Sequence, residues 1–414
     1  MTDVPAADSA PCSTTAPLAP LAAAKGAPPT LLFAIAAGLL ISDITATQPL
    51  VGAMRDSLAI GEGLASLVAT LALLGYAAGL LFIVPLADRM EARRLALLML
   101  GLGIAARLAL AGAATALAAF GAAFAVGVGS SAVQVLVPLA ASMAPEHERG
   151  KVVGNIMAGV MAGILLARPL AGLISDFAGW RGFFLMTAGA TTVLSVVLAL
   201  RLPDHPPRSQ ESYRALLASL LTLLREEPVL RRRATTAALG MAAFSAFWTM
   251  VALRLAQAPF SLSQSQVALF ALAGCGTVII APIAGRAGDR GWTKGGTHIA
   301  HVAMLAGAGI AALAGWLAQD GAFGVPLALL VVAGLVLDMG CVGDQTLGRR
   351  AINMIRPAAR GRMNGLFSGI FFIGGAIGAS LSGIAYASGG WLGVCALIAG
   401  FAVVAGLIGL CEPR

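Results

Sequence analysis

The stretch VPLADRMEARRL, residues Val84 to Leu95, places a dense group of charges between two long apolar runs. A relative of this stretch, IAGRAGDRGWTK, returns at Ile283 to Lys294, about half a chain later. In a chain that is otherwise almost wholly apolar, charged turns of this kind mark the ends of helices. Their recurrence indicates that the chain consists of two copies of one unit.

Hydrophobic residues make up 58% of the 414 residues and charged residues only 11%, against about 25% charged in soluble proteins. Most of the chain must therefore face lipid. A bilayer core needs about 20 apolar residues per helix, and runs of this length indicate helices, not the roughly 10-residue alternation of spanning β-strands. The polar breaks predict an all-α integral membrane protein with twelve transmembrane helices: 30–52, 64–87, 94–113, 116–143, 151–174, 181–201, 233–256, 264–287, 297–318, 325–348, 361–387 and 390–411.

The basic residues are distributed unevenly between the two sides of the predicted membrane. If the first helix runs outward, all but five of the 27 lysines and arginines are cytoplasmic, the exceptions being Arg55, Arg107, Arg168, Arg181 and Arg254. This positive-inside pattern predicts a multi-pass inner-membrane protein with both termini in the cytoplasm. It explains the net charge of +8 without nucleic acid as a partner. The five cysteines have no paired spacing, so no metal site is expected.

Further motifs occur twice in the same order. PEHERG at Pro145 to Gly150 is echoed by PAARG at Pro357 to Gly361, and Gly179-Trp180 by Gly390-Trp391. The chain is therefore predicted to contain two six-helix halves, residues 30–201 and 233–414. A disordered cytoplasmic arm, residues 1–29, precedes them. A cytoplasmic loop, residues 202–232, joins them and carries a predicted surface helix at Tyr213 to Leu224.

Several stretches carry a family likeness. They are QPL at Gln48 to Leu50, LGYAAGLLFIVPLADR at Leu74 to Arg89, RGKVVGNIMAGVMAGILLARPLAGL at Arg149 to Leu173, FSAFWT at Phe244 to Thr249 and RPAARGRMNGLF at Arg356 to Phe367. With the duplicated Asp-Arg turn, they resemble the major facilitator superfamily, and within it the twelve-span bacterial drug:proton antiporters. The resemblance implies two pseudo-symmetric six-helix bundles around a central cavity. The fifth span departs from the antiporter pattern, because Arg168 stands where proline is usual.

The two charged turns are candidates for a conformational latch formed by Asp88, Arg89 and Arg93 in the first half and by Asp289 and Arg290 in the second. A carboxylate at the inner end of a helix can pair with a basic neighbour or with the positive N-terminus of another helix. By the resemblance, Asp88 meets the start of the eleventh span, near Arg360 to Asn364, only when the cytoplasmic side is closed. For the arginines, a simple topological role stays open.

Ionisable residues inside membrane spans are costly unless they are paired or hydrated. Asp43 and Arg168 lie at similar depths in the first and fifth spans, so a buried Asp43–Arg168 pair is predicted, either structural or coupled to transport. Asp338, near the middle of the tenth span, has no basic residue on its own helix at that depth. Desolvation favours the neutral form of such a carboxylate, so Asp338 is the predicted proton carrier; the alternative is a packing role. Arg107 is expected to extend to the outer interface.

Five further residues are candidates for the wall of a substrate cavity: Thr47, Gln48, Gln134, Phe244 and Trp248. Phe244 and Trp248 share one helix face by their spacing and suit an apolar ligand. Hydrogen bonding and packing between helices explain the same residues equally well. His298 and His301, at the inner start of the ninth span, are interpreted as interfacial and not as metal ligands.

The sequence predicts a secondary active transporter that exports small lipophilic compounds in exchange for protons, with its site between two rocking halves. Proton-linked uptake of a small metabolite and a transport-inactive membrane sensor stay open as alternatives. The sequence lacks HExxH, CxxC and phosphate-binding motifs, so neither an enzyme nor a cofactor is expected. The expected partners are a small-molecule substrate, protons and the lipid bilayer, and the protein is expected to work as a monomer.

Overall fold

The computed structural model describes residues 29–202, 212–356 and 359–410, which are almost entirely helical. The arm predicted for residues 1–29 lies outside the described residues except at its last position. The central loop predicted for 202–232 is described at residue 202 and from residue 212 onward. The described chain divides into an N-terminal half, residues 29–202, and a C-terminal half, residues 212–410.

The N-terminal half contains α1 (Thr30–Leu58), α2 (Leu67–Asp88), α3 (Ala92–Ala111), α4 (Ala116–Met143) and α5 (Arg149–Arg201). The C-terminal half contains α6 (Tyr213–Glu226), α7 (Pro228–Ala256), α8 (264–289), α9 (Thr293–Leu317), α10 (Gly324–Asn353) and α11 (Arg360–Leu410). Three short pieces make up α8: Gln264–Phe270, Ala271–Cys275 and Gly276–Asp289. Within the described ranges, nine helices are long and apolar enough to cross a membrane, and neither α6 nor the interrupted α8 is among them.

Two helices contain a sharp turn at a glycine. α5 has 53 residues and α11 has 51; a straight helix of that length would extend about 80 Å, more than twice the bilayer core. Each consists of two helices that meet at a non-helical glycine, Gly179 with φ 68° and Gly390 with φ 58°. Glycine adopts positive φ without steric cost. The next residues, Trp180 and Trp391, donate indole hydrogen bonds within their own halves, so the repeated Gly-Trp pairs form two matching turns.

Small residues bring corresponding helices into close contact in each half. A Cβ on Gly159 or Gly163 of α5 would overlap the backbone of α1. A Cβ on Gly374 or Gly378 of α11 would overlap the backbone of α7 in the same way. Glycines four residues apart lie on one helix face, and they allow the tight backbone packing that joins helices in lipid. The helix pairs α1/α5 and α7/α11 are thereby held close together, and each pair carries buried polar side chains.

The junction between the halves differs in detail from the sequence-based boundaries. Ser212 caps α6, its hydroxyl accepting a hydrogen bond from the Ala215 N–H at 3.2 Å, and the helix continues to Glu226. α7 then begins at Pro228, before the expected start at residue 233. Proline fits the first helical turn because it lacks an N–H that would be unpaired there anyway. The basic run at residues 231–233 thus belongs to α7 and not to the loop.

Candidate functional site

A cluster of three buried side chains joins the two halves: Arg168 from α5, Trp248 from α7 and Asp338 from α10, called here the central cluster. The guanidinium carbon of Arg168 lies 4.1 Å from the centroid of the Trp248 ring and 5.3 Å from that of Phe244. The Trp248 indole donates a hydrogen bond to Asp338 Oδ1 at 2.8 Å. All three side chains are at most 4% exposed. The tryptophan therefore links a cation of one half to an anion of the other.

Gly274 of α8 leaves a small space toward which both charges point. A Cβ at Gly274 would lie 3.0 Å from Asp338 Oδ2 and 3.4 Å from a terminal nitrogen of Arg168. Asp338 Oδ2 has no hydrogen-bond partner among the described residues. An ionised carboxylate at this depth therefore depends on the positive charge of Arg168. Asp338 has no basic residue on its own helix at that depth, as expected, but it is not isolated, because a positive charge comes from the other half of the chain.

Asp43 of α1 pairs with Arg107 of α3, so the predicted Asp43–Arg168 pair is wrong. Arg107 Nε donates a hydrogen bond to Asp43 Oδ2 at 3.0 Å, and a second guanidinium nitrogen contacts the same oxygen. Both side chains are 0% exposed, so Arg107 does not extend to the outer interface as expected. Gly103 makes room for it, since a Cβ there would lie 2.7 Å from a terminal nitrogen of Arg107. This ion pair lies wholly within the N-terminal half.

Two predicted cavity residues of α1 have different surroundings. Gln48 Oε1 accepts a hydrogen bond from Arg168 at 3.2 Å, so Gln48 touches the central cluster. The Thr47 hydroxyl donates to the backbone carbonyl of Asp43 at 2.6 Å, one turn earlier in its own helix. Gln48 is thus placed to contact a ligand beside Arg168, whereas the Thr47 proton is already engaged.

Gln134 of α4 belongs to a separate contact between the halves. Its side-chain amide donates to the Tyr76 hydroxyl at 3.4 Å, and the Tyr76 ring packs edge-on against Phe372 of α11 with centroids 4.5 Å apart. Sequence reasoning missed Tyr76 and Phe372. A signal for Tyr76 existed, because a hydroxyl in the apolar α2 needs a hydrogen-bond partner once it is buried.

The central cluster is closed off on both sides in this conformation. Beside Arg168 and Trp248, a cavity lined by both halves has room for about one water molecule. Toward one end of the helices, Asp176 of α5 accepts hydrogen bonds from the Ser265 N–H, at 3.0 Å, and from its hydroxyl. Toward the other end, the Leu81 side chain packs against Gly369 of α11. The structure is therefore an occluded conformation of the site.

Residues 33–343 match the Major Facilitator Superfamily. The chain belongs to this superfamily. The Uncharacterized transporter YgaY of Escherichia coli O157:H7 is 36% identical over 375 residues, which covers 90% of this chain and 93% of YgaY. Among solved structures, a D-xylose-proton symporter is similar with a TM-score of 0.72 and 15% identity, covering 93% of this chain and 97% of its own. The nucleoside transporter NupG has a TM-score of 0.70 with 18% identity, covering 92% and 98%.

These likenesses settle the broad class of the protein. The identities to the solved structures are low, so they show the fold alone, whereas the superfamily match covers most of the chain. The protein is a multi-pass membrane protein and a secondary transporter of the major facilitator type, and not an enzyme. Transporters of this type hold their substrate between two halves, and the central cluster likewise lies between the two halves of this chain.

Asp88, the acid of the first predicted latch, makes no hydrogen bond or ion pair to the C-terminal half within the described ranges. Asp88 ends α2, and its side chain has no hydrogen bond or ion pair with any residue in the described ranges. The expected contact with the start of α11 is therefore not made in this conformation. Arg89 is exposed, and Arg93 donates to the Ala199 carbonyl of its own half at 2.7 Å.

The second copy of the charged turn is likewise engaged within its own half. Asp289 accepts a hydrogen bond from Arg350 Nε of α10 at 2.9 Å, and Arg290 is exposed. The turn ends at Gly291, which has φ 81°. Within the described ranges, neither Asp88 nor Asp289 therefore bonds across the halves while the central cluster is occluded.

His301 of α9 is not interfacial, contrary to the sequence-based interpretation. It is buried against Asp344 of α10, while His298, one turn earlier, is partly exposed. A signal for this contact existed, because Asp344 is an acid in an apolar helix and needs a partner within reach.

Proposed function

We propose that this transporter exports small lipophilic or drug-like compounds in exchange for protons, by alternating access. The observation that carries the proposal is the central cluster, in which a buried carboxylate and a buried guanidinium from opposite halves meet across Trp248. Buried charges are expensive in a membrane unless they are paired. Separating the halves is therefore difficult as long as both Asp338 and Arg168 remain charged.

Protonation of Asp338 would remove this obstacle. In the occluded conformation, ionised Asp338 and Arg168 attract each other across the interface. A proton that binds to Oδ2, the oxygen without a described partner, cancels the negative charge and weakens the attraction. The halves then separate at a lower electrostatic cost, and the proton leaves when the carboxylate becomes hydrated on the other side. One proton is bound and released for each cycle of opening and closing.

Aromatic residues around the central cluster support a lipophilic substrate. The Trp248 ring contacts Phe244 and Phe270, with centroids 6.3 Å and 5.9 Å away. Aromatic rings supply large apolar contact areas with few directional demands. The hydrogen bond between Arg168 and Gln48 favours a second candidate, proton-linked uptake of a small polar metabolite, because both groups can bind substrate oxygens once the halves separate.

The proposal includes the full architecture expected for the drug:proton antiporter branch, with twelve crossings in two six-helix bundles, residues 30–201 and 233–414. The turns at Gly179 and Gly390 support it, since α5 and α11 then supply two crossings each. The three pieces of α8 span residues 264–289, about 39 Å at 1.5 Å per residue, which is enough for one more. The positive-inside distribution supports an inner-membrane location with cytoplasmic termini.

The test is transport by the purified full chain in proteoliposomes with an imposed pH gradient, using compounds found by profiling a pump-deficient strain. Wild type should accumulate a lipophilic compound against its gradient. Asp338→Asn should lose this accumulation and keep downhill exchange, because it mimics the protonated state permanently. The control is Asp56→Asn, which removes an acid that is 69% exposed.

Three results would contradict the proposal in distinct ways. Accumulation by Asp338→Asn equal to wild type would show that Asp338 is not the coupling residue. Accumulation of a polar metabolite in the opposite direction would favour proton-linked uptake. Binding of compounds by a folded wild-type protein without flux of any of them would favour the transport-inactive sensor.

A further inference from the structure

A second buried acid–base pair lies between α9 and α10, apart from the central cluster. His301 Nε2 is 3.4 Å from Asp344 Oδ1, and the two side chains are only 3% and 1% exposed. Within the described ranges, neither the His301 ring nitrogens nor the Asp344 oxygens have a hydrogen-bond partner. Two titratable groups thus face each other without a hydrogen-bond partner in the described ranges, an arrangement that costs free energy inside a membrane.

Glycines of α10 create this contact. A Cβ on Gly340 would lie 2.6 Å from the Ala300 carbonyl oxygen, and one on Gly343 would lie 3.7 Å from the Ala300 side chain. The two helices therefore pack with their backbones close together. Since His301 follows Ala300 and Asp344 follows Gly343, the close approach places the imidazole against the carboxylate.

Residues from five helices surround the His301–Asp344 pair. From α7, the buried Arg233 donates to the Thr297 hydroxyl at 2.6 Å, one turn from His301 on the same face of α9. From α9 itself comes His298, and from α10 comes Cys341, one turn before Asp344. The remaining two elements contribute Ile280 of α8, beside Gly343, and Gly409 of α11, beside the His301 ring.

The positive charge of Arg233 enters the charge balance of the region that contains His301 and Asp344. With Arg233 positive, Asp344 ionised and His301 neutral, the group has no net charge. One added proton makes it singly positive, and the proton can be shared by the imidazole and the carboxylate. Neither state has a net negative charge, so the Asp344 anion is offset within this region.

The pair lies between one end of the helices and the central cluster. His301 is about 12 Å from the start of α9, and Asp344 is about 14 Å from the end of α10, at 1.5 Å per residue. Asp338 is about 9 Å further along α10 from Asp344, with Cys341 between them. The starts of α7 and α9 and the end of α10 lie on the same side, which is the cytoplasmic side in the proposed topology.

We propose that His301 and Asp344 form a second proton-binding site, through which Asp338 exchanges protons with the cytoplasmic side. A proton from water binds to the pair and then passes to Asp338 through water that enters when the halves separate. The reverse order releases it. The proposal rests on the proposed coupling role of Asp338, but its first test does not.

The first test is nuclear magnetic resonance of the full chain in lipid nanodiscs, with nitrogen-15 in its 4 histidines. His→Gln variants assign the signals. His301 should change between its neutral and protonated forms as pH is varied, and Asp344→Asn should move that transition by at least about one pH unit, a tenfold change in proton affinity. Asp56→Asn is the control and should leave it in place. A His301 signal that does not respond to pH, or that is the same in Asp344→Asn, would overturn the proposal.

The second test is gradient-driven transport in proteoliposomes. His301→Gln and Asp344→Asn should each lower uphill accumulation by about tenfold or more while downhill exchange continues. The control His147→Gln, which changes an exposed histidine, should behave as wild type. If both variants accumulate substrate normally while Asp338→Asn does not, this inference fails and the coupling role of Asp338 stands. If Asp338→Asn is normal and His301→Gln is not, the proposed function fails instead. Should Asp344→Asn not fold, Asp344→Glu replaces it, since a carboxylate displaced by one methylene must still move the His301 transition.

Discussion

Removing one member of the buried Asp43–Arg107 pair should destabilise the protein far more than removing both. At the 3.0 Å separation of Arg107 Nε and Asp43 Oδ2, two opposite charges attract by about 5 to 6 kcal/mol at an effective dielectric constant of about 20. Replacing one partner forfeits this attraction and leaves a buried charge without compensation, which typically costs about 3 to 5 kcal/mol. Replacing both leaves no buried charge at all.

The assay is a cycle of four proteins: wild type, Asp43→Asn, Arg107→Met and the double variant. Unfolding of the purified chains in detergent should show each single variant less stable by about 3 to 5 kcal/mol, and the double variant within about 1 to 2 kcal/mol of wild type. Asp56→Asn, which breaks a surface pair with Arg55, should change stability by about 0 to 1 kcal/mol. The double variant should also retain pH-gradient-driven transport, because the pair lies within one half and need not change as the halves move.

Two outcomes would refute this reasoning. Single variants as stable as wild type would mean that the pair is hydrated or neutral and carries no energy. A stable double variant that exchanges substrate but no longer couples to the gradient would assign the pair to proton coupling and not to structure.

Three further predictions address the site and the topology. Gly274→Ala should slow turnover by about tenfold or more, since the added methyl overpacks the space between Asp338 and Arg168 at a cost of about 1 to 3 kcal/mol. The control Gly309→Ala, where a Cβ meets nothing within 4 Å, should leave the rate unchanged. Equal transport rates for the two variants in competition assays would refute this prediction. Asp88→Asn should lower turnover much more than substrate affinity, and weakened binding with normal closure kinetics would count against a latch. In a cysteine-free background, an impermeant thiol reagent added outside cells should label Ser263→Cys at once and Glu148→Cys only after permeabilisation, so early labelling at 148 would invert the proposed topology.

Much of the fold follows from the composition and the repeated motifs. The long apolar runs, the helix breaks at the charged turns and the Gly-Trp turns in α5 and α11 depend on local sequence alone. The start of α7 shows the limit of local patterns. The run of arginines after Pro228 was assigned mostly to the loop, whereas the helix begins at Pro228 itself.

The partners of the buried charged residues could not be predicted from local sequence. Asp43, Arg168 and Asp338 were identified as the informative residues, but their pairing depends on the direction in which each side chain leaves its helix and on the space that nearby glycines leave. Gly103 leaves the space that the Arg107 guanidinium occupies beside Asp43. Arg168 meets Asp338 only because the two halves close on each other, which no feature of α5 or α10 alone encodes.

The stacking of Arg168 on Trp248 makes this tryptophan an optical probe of the transport cycle. The chain has 5 tryptophans; Trp180 and Trp391 are bound within their own halves, and Trp292 and Trp316 are 66% and 60% exposed. Among these five, only the Trp248 indole combines a cation from the opposite half with a hydrogen bond to a buried acid. Its emission should change whenever the halves part or the acid takes up a proton, so unlabelled protein can report ligand binding in a plate reader before any flux assay exists.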